Sequence, residues 1–315
     1  MDLTGIHHLS AISGAIRENK RFYTRTMGMR LVKRSVNQDD VSMYHLFYAD
    51  SKGSPGTDLT FFDWEIPRER RGIRAIARTH LRVAGEGTLE WWKQYLKDAG
   101  VTAGEIVEAD GRLTMDFEDP EGQRLSLVDD RGVGEAHPWE RSPVPAERQV
   151  RGLGPIRLSV PRLPEIDLLL REGINMRPVR QYAHPENRKD TVHVYEMGQG
   201  GASAELHVGV QPDLPEAGMG AGGVHHVAFR TPDKNYDAWA DRLNTLGIRN
   251  SGKIDRYWFR SLYFREPNGI LFEIATDGPG FSVDEDSAAL GEKVVLPPFL
   301  EARREQIVAN LKPLD

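Results

Sequence analysis

The chain has 315 residues, and its 41 Lys and Arg are dispersed among 47 Asp and Glu, giving a net charge of -6 and a pI near 6.0. That balance offers no field for phosphate and excludes a nucleic-acid partner; with no apolar run of about 20 residues and no leader pattern, it predicts a cytoplasmic protein that makes no use of a membrane. Cysteine is absent, so disulfides and thiolate ligands are excluded, and any metal must be held by imidazole or oxygen.

In chain order the first predicted strand is Ile6-His7-His8-Leu9-Ser10. Its alternation returns at Thr79-His80-Leu81-Arg82-Val83, Ile156-Arg157-Leu158-Ser159-Val160 and Val224-His225-His226-Val227-Ala228. The anchor positions 8, 80, 157 and 226 are separated by 72, 77 and 69 residues, which marks an internal repeat. A helix-like stretch follows each strand, with apolar residues three to four apart, as in Leu89, Trp92, Tyr95 and Leu96 or Tyr236, Trp239, Leu243 and Leu246. Gly100 and Gly247 stand where the C-caps of two of these helices are expected.

Three shorter strands complete each unit, for example Leu113 to Glu118 and Leu125 to Asp129. Between these two lies the turn Phe117-Glu118-Asp119-Pro120-Glu121-Gly122, 37 residues after His80. The same turn recurs as Phe264-Arg265-Glu266-Pro267-Asn268-Gly269, 38 residues after His226. The strand that follows carries Glu273 within Leu271-Phe272-Glu273-Ile274, where the earlier copy has Ser126. The predicted fold class is α+β, with four βαβββ modules forming two barrel-like cavities. A Pro- and charge-rich linker, Asp130 to Gly154, divides a first half, 1–145, with modules one and two, from a second half, 146–315, with modules three and four. Beyond Asp277 the repeat stops, and a helix with Leu300, Arg304, Ile307 and Leu311 on one face is expected to cover the open side of a sheet, with a lid over the active site as the alternative.

Strand alternation lets only one of two adjacent histidines face a given cavity. His8 shares its face with Ser10, and His226 with Ala228 and Arg230, so these two are assigned to the interior. Glu273 alternates with Phe272 and Ile274 and can meet them. Two histidines and one carboxylate leave adjacent coordination positions open, an arrangement typical of non-haem Fe(II) oxygenases, with Mn(II) as the alternative metal. Pairing modules one and four supplies this set. Pairing two and three offers His80, Arg157 and Glu205, where a guanidinium takes the metal position and is expected to bridge to Glu205, leaving that cavity metal-free. His45, His137, His184, His193 and His207 are read as structural hydrogen-bonders.

Residues 4 to 277 resemble the vicinal-oxygen-chelate superfamily of glyoxalases and extradiol dioxygenases. More narrowly, Gly5-Ile6-His7-His8-Leu9-Ser10, Tyr44-His45-Leu46-Phe47-Tyr48-Ala49-Asp50, Gly53-Ser54-Pro55-Gly56-Thr57 and Tyr263-Phe264-Arg265-Glu266-Pro267 are similar to its hydroquinone ring-cleaving dioxygenase branch. The resemblance implies Fe(II) held by the first and fourth modules, His7, Ser10, His225, Arg256 and Tyr263 around it, and a homodimer. Ser10 stands where that branch is expected to carry threonine. The implied reaction is ring cleavage of a small hydroquinone or catechol by O2. On that reading His7 or His225 relays a proton near working pH, and Arg256 and Tyr263 orient the substrate hydroxyl. For Arg256 the alternative is a surface salt bridge to Asp255 or Glu266. Two rival functions stay open: a glyoxalase-like isomerase or lyase, which needs a fourth ligand such as Asp58, and a non-catalytic protein that binds aromatic compounds.

Overall fold

The computed structural model describes residues 1–314. Module one supplies β1 (Gly5–Ser13), β2 (Arg30–Val36), β3 (Tyr44–Ala49) and β4 (Asp58–Asp63). Module two supplies β5 (Ala75–Val83), β6 (Ala103–Ala109), β7 (Arg112–Glu118) and β8 (Arg124–Asp129). Module three follows with β9 (Gly152–Val160), β10 (Arg177–Ala183), β11 (Thr191–Glu196) and β12 (Glu205–Val210), and module four with β13 (Val224–Thr231), β14 (Ile254–Asp255), β15 (Arg260–Arg265) and β16 (Leu271–Thr276). One sheet runs β14-β15-β16-β13-β1-β4-β3-β2 and the other β10-β11-β12-β9-β5-β8-β7-β6. Modules one and four therefore share one curled sheet and modules two and three the other, as ligand counting required.

At the centre of the first sheet β1 and β13 pair antiparallel, with Ser10 opposite His226. Parallel neighbours flank them and set Thr60 beside Ser10 and Glu273 beside Ala228. Alternation then sorts the side chains. Leu9, Leu59, Phe61, Val227, Phe229, Phe272 and Ile274 enter a core shared with the helices, each contributing about 1.5–3 kcal/mol by leaving water. His8, Ser10, Thr60, His226 and Glu273 take the other face, inside the curl.

The crossover helices are α1 (Ile16–Arg21), α2 (Glu86–Asp98), α3 (Pro164–Leu168) and α4 (Tyr236–Thr245). Both α2 and α4 end as their glycines predict. Gly100 and Gly247 have φ of 77° and 67°, and N–H groups reach back from Gly100 to Lys97, from Val101 to Leu96, from Gly247 to Asn244 and from Ile248 to Leu243. By contrast α1 and α3 have six and five residues, and each passes directly into a π-helical turn.

The predicted C-terminal helix is split into α5 (Pro298–Glu301) and α6 (Arg304–Asn310). Leu300 and Ile307 pack on Val36 and Leu296, with Leu311 against them. Just before it, the chain runs along β2, where Val295 donates to the Arg34 carbonyl at 2.9 Å and Ser35 donates to the Val295 carbonyl at 2.7 Å. Lys33, with a fully buried side chain, pairs with Asp284 at 2.7 Å and with Glu285, and also donates to the Phe281 carbonyl at 3.0 Å. Among the described residues no helix is long and apolar enough to cross a membrane.

Candidate metal centre

The antiparallel pairing of β1 and β13 brings two histidine pairs face to face. His8 Nε2 lies 3.4 Å from His226 Nε2, and Glu273 Oε2 is 3.2 Å from the first and 3.0 Å from the second. These three side chains are at most 5% exposed, and one ligand atom of each lies within 4.8 Å of the others.

Hydrogen bonds behind the rings assign their tautomers. His7 Nε2 is 3.0 Å from the Thr276 carbonyl, which can only accept, so that nitrogen carries the proton. His7 Nδ1 is then an acceptor 2.9 Å from His8 Nδ1, which must donate. This leaves His8 Nε2 with a lone pair turned toward Glu273. On the facing strand His225 Nδ1 and His226 Nδ1 are 2.8 Å apart; donation from His226 in this pair, the order seen on the first strand, would leave His226 Nε2 free to ligate.

Burial, partly opposed by Glu273, lowers the His226 imidazole. For Glu273 itself burial works upward, but positive charge at His8 and His226 outweighs it and holds the carboxyl well below its usual range; with neutral rings turned to it, a bound cation takes over that part. Ser261 donates to its Oε1 at 2.5 Å. The other oxygen has no hydrogen-bond partner, because the two ring nitrogens are close but not aligned to donate. A buried, ionised oxygen left in that state is costly. A divalent cation among the three donors satisfies it, so the residues present fit a metal of the imidazole–carboxylate class.

A cavity of about 40 Å³ opens beside the triad. His8, Ser10, His45, His226, Arg256 and Tyr263 line it together with Phe47, Phe62, Trp258, Phe259 and the turn Asn37 to Asp39. Ser10 Oγ meets Thr60 Oγ1 at 2.8 Å, and Thr60 meets His45 Nε2 at 2.9 Å. Thr60 thus occupies in module one the position of Glu273 in module four. Arg256 donates to the Tyr263 hydroxyl at 3.2 Å, and its guanidinium lies 5.2 Å from the centre of that ring. Burial first, then Glu273, pushes the Tyr263 phenol upward.

Several expectations need correction. Arg256 pairs with neither Asp255 nor Glu266 but grips Asp39 through two bonds of 3.1 and 2.9 Å. Arg157 does not reach Glu205; it pairs with Glu186 at 2.9 Å. Glu205 is instead held by Arg112 at 2.7 Å, Arg180 at 2.9 Å and His207 at 3.0 Å, the charge there coming from side chains that point in from β7 and β10. Burial, then the neighbouring His8 and His226 respectively, push His7 and His225 down to about 3, which is at odds with a proton relay that titrates near working pH. Asp58 is buried with an unpartnered oxygen, and burial pushes it well above the usual carboxylate range. It does not join the metal-ligand cluster, so the fourth ligand that an isomerase would need is not supplied from there. No residue of the C-terminal helices lines the cavity, though Trp258, which does, donates to Asp284 at 2.9 Å.

Sequence reasoning missed Ser261, Asp39 and the placement of His45. Only His45 carried a signal, as part of the quoted Tyr44–Asp50 motif.

Residues 5–127 and 152–274 match the pattern of the glyoxalase/bleomycin resistance protein/dioxygenase superfamily. The chain is 44% identical over 319 residues to MhqA of Bacillus subtilis, itself a provisionally assigned ring-cleaving dioxygenase, covering 100% of both chains. It is 30% identical to a chlorohydroquinone/hydroquinone 1,2-dioxygenase of Sphingobium indicum, covering 98% of this chain and 95% of that one. A crystal structure of a provisionally assigned dioxygenase from Bacillus subtilis superposes with a TM-score of 0.90 at 33% identity, over 99% of this chain and 98% of the other.

Proposed function

The chain belongs to the glyoxalase/bleomycin resistance protein/dioxygenase superfamily, and on that premise we propose that it is an Fe(II)-dependent ring-cleaving dioxygenase that uses O2 on a hydroquinone-type or catechol-type aromatic. The observation that carries the reading is the buried, unpartnered Glu273 oxygen between two imidazole nitrogens freed to ligate. MhqA, at 44% identity, is named for ring cleavage, and the Sphingobium relative, at 30%, for dioxygenation of hydroquinones.

His8, His226 and Glu273 would hold the ion, with Mn(II) as the alternative. When bound there, a ferrous ion would bring dioxygen and an aromatic oxygen to one centre and would lower the phenol pKa. The protein does the rest. His7 and His225 are positioning residues that fix the tautomers of the ligand rings through their Nδ1 contacts. Phe47, Phe62, Trp258 and Phe259 wall the cavity with apolar surface and exclude water. Arg256 and Tyr263 orient the ring hydroxyl, and the guanidinium stabilises negative charge as that oxygen loses its proton. Ser10, anchored on Thr60, presents a hydroxyl to the same space.

The test is to purify the protein anaerobically, load Fe(II), and follow O2 consumption with hydroquinone, methylhydroquinone, chlorohydroquinone and catechol in parallel. Stoichiometric uptake with at least one ring is expected. Zero uptake with all four overturns the reading.

A further inference from the structure

The cavity beside the triad, about 40 Å³, has room for roughly three waters and falls far short of the ~300 Å³ at which small-ligand pockets begin. A wall must therefore move before a dihydroxylated ring can reach His8 and His226. Two segments flank the space: the stretch 280–296, which braces Trp258, and the turn 37–43 between β2 and β3, whose Asn37, Gln38 and Asp39 line the cavity.

Their fastenings differ in kind. The stretch 280–296 is tied by Lys33, a side chain at 0% exposure gripping Asp284 and Glu285, and by backbone bonds from Gly280 to Trp258 and from Val295 to Arg34. Opening it would strand a buried charge. The turn is joined to module four only through Arg256 among the bonds recorded for Gln38 and Asp39: two bonds from the guanidinium to Asp39, and one of 2.9 Å from Gln38 Nε2 to the Arg256 carbonyl. Asp39 is 73% exposed, so water and salt screen that pair from its side, and Arg256, 17% exposed, still has the Tyr263 hydroxyl as a partner when the pair opens. Within itself the turn is bonded from Asn37 to Met43, from Asp40 to Asn37 and from Asp39 to the Asn37 side chain. Its remaining anchor is Val41, half-buried against the cluster of Val36, Leu296, Leu300 and Ile307, a non-directional contact over which the turn can slide as a unit.

We propose that the turn 37–43 is the door by which the aromatic substrate enters, and that Asp39 is its latch, a positioning residue that holds Arg256 against Tyr263 at the edge of the cavity when the door is shut. Closure and alignment of Arg256 are then one event, since the same guanidinium makes both contacts. The identity of the ring rests on the dioxygenase reading; the motion does not.

Hydrogen exchange resolved by segment tests this without turnover. In the wild-type protein the amides of 37–43 should exchange faster than those of 281–295. Asp39→Ala should accelerate exchange in 37–43 about two- to fivefold, leave 281–295 unchanged, and abolish the salt dependence of exchange in the turn. Asp39→Glu, which keeps the charge, should restore protection. Exchange in 37–43 that is unmoved by Asp39→Ala, or that is slower than in 281–295, overturns the proposal. Adding hydroquinone anaerobically to the Fe(II)-loaded protein should protect 37–43. If the variants behave as expected but no ring protects the turn, the door stands and the substrate reading fails.

Discussion

Ser261→Ala is the most incisive perturbation of the centre, because it changes one atom that touches no ligand position. Ser261 is fully buried on β15 and donates at 2.5 Å to Glu273 Oε1, the oxygen turned away from the histidines. Removing the hydroxyl leaves that oxygen without its donor at a site with no access to water. A hydrogen bond to a charged group contributes about 1.5–3 kcal/mol, which converts to roughly a ten- to hundredfold change in an equilibrium constant, the same range found when partners behind metal ligands are removed. Competitive titration of the metal-free protein with Fe(II), or with Mn(II) in air, should therefore give a Kd raised about ten- to a hundredfold, while the ligand count is intact and the far-UV spectrum unchanged. A Kd within twofold of wild type would refute the reasoning, since it would mean that the orientation and charge of Glu273 do not depend on this bond.

Three further outcomes are expected. Glu273→Ala should reduce bound iron to background by elemental analysis, whereas His80→Ala should leave it unchanged, because His80 faces the other sheet and donates to or accepts from nothing in the triad; iron lost from the second variant would relocate the site. Burial, only partly offset by hydrogen bonds from Gln123, Glu121 and Tyr23, raises Asp119 to about 6, so the folded state keeps a proton that the unfolded chain gives up near pH 4. That contribution is complete below pH 4 and is lost as pH rises through 6, by up to about 3 kcal/mol; urea titrations should show this slope in the wild type and its loss in Asp119→Asn, and an identical slope in both would exclude Asp119 as its source. Lys33→Ala strands two carboxylates and should destabilise the fold by about 3–5 kcal/mol, with proteolysis beginning near residue 284; an unchanged melting point would contradict the buried pairing.

The module count and the triad were legible because they depend on period and residue type. Alternation around His8, His226 and Glu273 decides which face each side chain takes, and the repeated Pro–Gly turn places the last strand of the second and fourth units. The crossover helices α2 and α4 could be read from their glycine caps, whereas α1 and α3 were obscured because each gives way within six residues to a π-helical turn. Ion pairing was not legible. Arg157 and Glu205 lie on the neighbouring strands β9 and β12, but the register sets His207 rather than Glu205 beside Arg157; β7 and β10 deliver Arg112 and Arg180 to Glu205, and a loop residue, Glu186, takes Arg157. Ser261 escaped for a similar reason: it lies opposite Ala275 and reaches Glu273 only diagonally across the ladder, a pairing invisible until the register is known. Adjacent histidines suggested a titrating relay; that burial lowers both outer rings to about 3 could not be read from the sequence.

The shared sheet of modules one and four has a consequence for biosynthesis. β1 emerges first from the ribosome, while its partner β13 lies more than two hundred residues downstream and the carboxylate of Glu273 later still. Until then one edge of β1 presents bare backbone donors and acceptors, a surface open to pairing with other nascent chains. The second sheet, whose β5 and β9 are both available earlier, can close first and serve as the template on which the two ends of the polypeptide meet. A cation at the proposed site can therefore be captured only after Glu273 has been made, and a chain truncated before residue 271 would carry both histidines without the carboxylate.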